Sequence, residues 1–130
     1  MLRIILGIVA GIVAWVSLVI VGGLIIRATW PEYVAVAEAM TFTLPMLITR
    51  LSLSTVALLI AAGVATLTAR KSVAPLILGI VLLVFFIPSH IYLWDKFPVW
   101  YHLTFLVTLI PLSVLGGRIF TGAGRKEQTN

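Results

Sequence analysis

The chain has 130 residues, 62% of them hydrophobic and 10% charged, with nine basic side chains, four acidic ones and no cysteine. Soluble domains carry roughly 45–50% apolar and 25% charged residues, which excludes an ordinary water-soluble fold, and the missing thiols exclude disulfides, thiol catalysis, iron–sulfur clusters and thiolate metal sites. The formal charge of +5 comes from basic residues most of which flank apolar runs, pointing to membrane topology and away from nucleic acid.

A membrane span needs about 20 mostly apolar residues, so the length has room for about four or five spans and no extramembrane domain. The first span runs from Ile4 to Ile26 and is closed by Arg27. Met1-Leu2-Arg3 ahead of it has the charged start of a signal peptide. The apolar stretch, however, outruns the roughly 7–15 residues of a signal core, and no small-residue cleavage site follows, so it reads as a retained helix. Gly7 and Gly11 form a G-x-x-x-G pattern extended by Ala14, a stripe that lets helix backbones approach closely in lipid. The stripe packs either within this chain or against another subunit.

The connection from Arg27 to Thr43 is the one long enough for structure of its own. Pro31 suits a first helical turn and Glu32 complements its dipole, so Pro31 to Met40 reads as a short interfacial helix or as an extension of the next span. The second span covers 44–69, with Ala57, Ala61, Ala65 and Ala69 recurring every fourth residue. Arg50 lies inside it, about two turns from its outer end; its long side chain is expected to snorkel to that interface or to pair with Glu32 or Glu38.

Arg70-Lys71-Ser72 is so short a turn that the third span, 73–93, must return antiparallel to the second. The turn Trp94-Asp95-Lys96-Phe97-Pro98 leads into the fourth span, 99–119, and a polar tail occupies 121–130. Pro88 and Pro111 fall inside the last two spans, where each removes a backbone hydrogen bond and favours a kink. The expected architecture is thus an all-α, four-transmembrane-helix bundle in a single domain. Arg3, Arg70, Lys71, Arg118, Arg125 and Lys126 fall on one side with one acid, whereas Arg27, Arg50 and Lys96 share the other with three acids. Because basic residues near short loops are retained in the cytoplasm, both termini are expected there, in a bacterial inner membrane.

Six large aromatic residues, Trp30, Tyr33, Tyr92, Trp94, Trp100 and Tyr101, map to the outer interface, and only Trp15 lies within a span. They form either an interfacial belt or a surface that contacts a partner or ligand. His90 and His102 lie six residues either side of Lys96, so a hairpin turning there sets them at similar depth, about 5–8 Å below the interface. Imidazoles in that position hydrogen-bond across helices or meet interfacial water, or they contact a quinone, pigment, haem or metal. Asp95, Glu32 or Glu38 could complete a metal site, but the spacing matches no zinc motif.

The stretch Phe97-Pro98-Val99-Trp100-Tyr101-His102-Leu103 through Pro111-Leu112 and Gly116-Gly117-Arg118, with the opening Arg3-Ile4-Ile5-Leu6-Gly7-Ile8, resembles small uncharacterised four-helix bacterial inner-membrane proteins. The resemblance implies a fold and a location but no activity.

No nucleophile triad, His-Glu-x-x-His, phosphate-binding glycine loop or mid-span acid is present. The expected function is therefore that of a non-catalytic accessory subunit, packing its helices beside other subunits of a respiratory or photosynthetic complex in the bilayer. One alternative is a small-ligand site near the outer face for a pigment, quinone, haem, lipid or metal, built on His90 and His102 with Trp94, Trp100 and Tyr101 as walls. A small oligomeric transporter is another, although the span centres offer little polarity beyond Ser17, Ser52, Ser54, Thr55 and Thr108.

Overall fold

A computed structural model describes the backbone of residues 1–129 and the side chains of residues 1–120. Five helices follow one another: α1 (Leu2–Thr29), α2 (Pro31–Ala37), α3 (Leu44–Ala69), α4 (Ala74–Tyr92) and α5 (Val99–Thr129). There is no strand among the described residues. α1, α3, α4 and the Val99–Phe120 part of α5 are each long and apolar enough to cross a membrane, consistent with a multi-pass membrane protein. The side chains of the polar tail, 121–130, lie outside the described residues.

The helix ends follow from local chemistry. α2 carries Pro31 in its first turn and stops at Ala37, three residues short of the expected Met40. Met40 instead adopts a left-handed backbone with φ of 56°, which breaks the helical path before Thr43 and Pro45 open α3. α2 is therefore a separate element and not an extension of the second span. At the opposite end of the bundle Arg70 closes α3 in the left-handed region, and its N–H donates to Thr66 O at 2.8 Å. Pro75 then occupies the first turn of α4. α4 and α5 run through Pro88 and Pro111 without interruption.

α3 is the central helix, packed against α1 on one flank and α5 on the other, while α4 lies mainly on α5 and only lightly on α1. The close approach of α1 to α3 depends on small residues. A Cβ at Gly7 would sit 2.6 Å from the carbonyl oxygen of Ala65 and 2.7 Å from the methyl of Ala69, and one at Gly11 would sit 3.1 Å from both Ala61 O and the Ala65 methyl. The glycine stripe of α1 thus lies in the alanine stripe of α3, with Ala14 and Ala57 flanking it: Ala14 packs against the central cluster of Leu58, Ala61, Ala62, Ala65, Leu78, Leu82 and Leu109, and Ala57 is buried.

One cross-helix hydrogen bond ties α5 to the start of α4. Ser113 Oγ, fully buried, donates to Pro75 O at 2.5 Å. Ser113→Ala removes the donor and leaves the carbonyl its helical partner. The expected loss is about 1 kcal/mol, typical of such bonds between membrane helices; an unchanged midpoint on thermal unfolding in detergent would show that the bond contributes nothing.

Candidate functional site

The end of the bundle that holds α2 and the turn before α5 collects most of the polar side chains. The α4–α5 hairpin brings His90 and His102 together, Nδ1 to Nδ1 at 2.6 Å, with ring planes at 84°. His102 is fully buried, and its Nε2 lies 3.3 Å from Trp94 O. Because a carbonyl oxygen only accepts, Nε2 of His102 must carry the proton, which makes its Nδ1 a lone pair when the ring is neutral. Nδ1–H of His90 therefore donates to it, and Nε2 of His90 is left unprotonated as an acceptor. The indole of Trp94 stacks on His102 at 4.8 Å and 11°, covering the pair from outside.

Arg50, on α3, reaches toward the loop end of the bundle, where it meets partners other than the two glutamates. Its Nη1 donates to Tyr33 Oη at 2.6 Å and its Nε to Tyr101 Oη at 3.3 Å. The guanidinium carbon lies 4.8 Å from the ring centroid of Phe42 and 5.7 Å from that of Phe97. Those rings are themselves arranged as a column: Tyr33 against Phe42 at 5.1 Å, Phe42 stacked on Phe97 at 5.9 Å, and Phe97 stacked on Tyr101 at 4.8 Å. Its partners are therefore phenols and aromatic faces, and pairing with Glu32 or Glu38 is replaced by this aromatic enclosure. The reason lies in α2, whose first turns aim Tyr33 inward, where it is buried, and leave Glu32 and Glu38 exposed.

Between these two clusters lies a cavity of about 300 Å³. Arg50 and Ser54 of α3, Ser89 and His90 of α4, and Tyr33 and Tyr101 bring polar atoms to its wall. Val19, Gly23 and Ile26 of α1, with Trp15 deeper along the same helix, supply an apolar side, and Phe86 and Phe105 close it opposite. Trp15 packs edge-on to Phe86 at 5.1 Å, and its indole N–H is buried without a hydrogen-bond partner.

The chain matches no protein-family model, no curated protein and no solved structure. The chemistry of the site thus rests on its own geometry. Of the residues that the sequence singles out, His90, Tyr101, Tyr33 and Arg50 meet at the cavity with Trp15 and Ser54, whereas His102, expected in the site, is buried behind His90 and does not line it. Trp94 and Trp100, expected as walls, do not line it: Trp94 sits behind His102, and Trp100 is exposed, turned from Tyr101 by the roughly 100° that separates neighbours on a helix. Trp30 lies beside Tyr33 at 6.1 Å. Asp95 is exposed in the turn, and no group of three or more metal-ligating side chains forms among the described residues. Phe42 and Phe97, which enclose Arg50, fall in connections and carry no sequence signal beyond their apolarity; an arginine inside an apolar run flanked by aromatic loops was the available clue.

The set is rich in donors. A guanidinium has five N–H groups, of which Arg50 uses two on the phenols, and each phenol that accepts from it keeps its own O–H to give. His90 lines the same wall, and its Nε2 is an acceptor. Such a cavity, apolar with a few convergent polar groups at one end, has the composition of a small-molecule site.

Proposed function

We propose that this chain is a multi-pass protein of the bacterial inner membrane, with both termini cytoplasmic, that binds a small ligand drawn from the bilayer in the cavity at its outer end. The observation that carries the reading is the convergence of Arg50, Tyr33, Tyr101 and His90, from four different elements, on one apolar cavity. A charged side chain within a span is costly, and such residues mark ligand or ion sites by default. The excess of basic residues on the opposite side supports the orientation.

An accessory-subunit role draws its support from the small-residue stripes. Those stripes lie between α1 and α3 of this chain, where they favour its own fold and leave neither Gly7 nor Gly11 open to a neighbour.

Gly23 provides the test. It lines the cavity, and a Cβ built there meets nothing within 4 Å. Gly23→Leu is expected to fill the space with no loss of stability, and to abolish a small molecule that copurifies with the wild-type protein in mild detergent, read by native mass spectrometry. Equal occupancy in both proteins would sink the proposal. So would a wild-type chain recovered with an empty cavity as a stoichiometric member of a larger complex, which would favour the accessory role.

A further inference from the structure

We infer that the ligand of this cavity is an anionic amphiphile, with a single carboxylate or phosphate head held at Arg50 and an apolar chain lying deeper along α1. The inference rests on the ligand-binding reading above and adds the chemical class.

Charge comes first. Arg50 is a guanidinium in a span whose hydrogen-bond partners, Tyr33 and Tyr101, are both neutral phenols. Cation–π contact with Phe42 and Phe97 offsets part of the desolvation of the cation, but a carboxylate or phosphate is what cancels it. Buried charges are found paired, and a planar guanidinium with unused N–H groups matches an oxyanion in two-pronged fashion. The phenols reinforce this. Each accepts from Arg50, so each has its O–H left to donate, and the three side chains together offer donors to one point. A neutral carbonyl ligand would use these donors but leave the charge standing.

Shape gives the second part. The wall contributed by α1 extends from Ile26 to Trp15, about 16 Å at 1.5 Å per residue. Tyr33, Arg50 and Tyr101 lie at its Ile26 end, because α1 ends at Thr29, α3 begins at Leu44 and α5 at Val99. Trp15 lies at the other end, and Phe86 and Phe105 stand one turn below His90 and Tyr101 on α4 and α5. The cavity is thus a slot along the helix axes, polar at the end next to the loops and apolar below, which is the polarity of a lipid lying in one leaflet. α1 and α4, which pack only lightly on one another, flank it.

The purified full chain in neutral detergent, titrated with oleate and with methyl oleate and read by native mass spectrometry, tests the class. Oleate is expected to bind about tenfold more tightly than its uncharged ester, a difference of about 1.4 kcal/mol. Arg50→Met should remove that preference, bringing oleate down to the affinity of the ester, and Arg50→Lys should retain part of it; Tyr33→Phe with Tyr101→Phe should weaken oleate more than the ester. Oleate and ester binding equally, both lost in Gly23→Leu, would overturn the anionic class yet leave the ligand-binding reading intact. Absence of any Gly23-sensitive binding would end both. Dioleoylphosphatidic acid is expected to compete with oleate and inorganic phosphate at the same concentration is not; displacement by phosphate would show that the site takes a small soluble anion and would overturn the amphiphile.

Discussion

Gly7→Leu is expected to pull α1 away from α3 and to lower the unfolding midpoint of the purified protein sharply, by about 3 kcal/mol or more, at the upper end of overpacking effects. Two opposing effects decide the sign. Leucine is a better helix former than glycine, worth about 1 kcal/mol in the variant's favour. Against this, the first side-chain atom alone would stand 2.6 Å from the Ala65 carbonyl oxygen and 2.7 Å from the Ala69 methyl, and a carbonyl of a hydrogen-bonded helix cannot step aside as a flexible side chain can. The clash therefore outweighs the gain in helix propensity. The same substitution on the same helix at Gly23, where nothing lies within 4 Å, serves as the control and is expected to be neutral or mildly stabilising. Thermal unfolding of the two variants in one detergent makes the comparison; equal midpoints would mean that the α1–α3 contact does not depend on the absent side chain.

Legibility of the fold divides along physical lines. The four long helices were readable because a bilayer-length apolar run has few alternatives, and the three-residue turn at Arg70 leaves an antiparallel return as its only solution. Met40 was not readable: a left-handed residue other than glycine is set by the packing on either side of it, and methionine carries no sign of that geometry. Half of the site was legible. His90 and His102 are equidistant from a turn, and a hairpin converts equal distance along the chain into equal depth; that the rings face one another depends on helix rotation, which spacing leaves open. Arg50 shows the limit. Its position in an apolar run marked it as unusual and left two readings, snorkelling to the interface or pairing with Glu32 or Glu38; the pairing is the one that does not form. One residue of rotation on α2 decides the outcome, since Glu32 and Tyr33 point about 100° apart and the helix buries Tyr33. Phe42 and Phe97 reach the guanidinium from two separate connections, and no periodicity governs where such connections fold. The cavity itself is a property of how five elements fail to fill space between them, which no single stretch of sequence encodes.

His102→Leu is the second variant with a large expected effect, and it bears on how the histidine pair is organised. His102 is fully buried and accepts from His90 Nδ1 while donating to Trp94 O. Removing it leaves His90 Nδ1 without a partner in either tautomer, at about 1–3 kcal/mol, and removes the stacked contact with Trp94, at about 0.5–1.5 kcal/mol; a combined loss of about 3 kcal/mol is expected. His90→Leu should be milder, because it leaves an acceptor lone pair unmatched while the Trp94 stack on His102 persists. The double variant should then be no less stable than His102→Leu alone, because with both imidazoles gone no donor is stranded and two leucines fill the space against Phe105, which lies 4.7 Å from His90. A double-mutant cycle on unfolding midpoints reads this directly. Additive losses would mean that the two rings are neighbours without a shared proton, and that the tautomer which turns His90 Nε2 into an acceptor at the cavity is not imposed by His102.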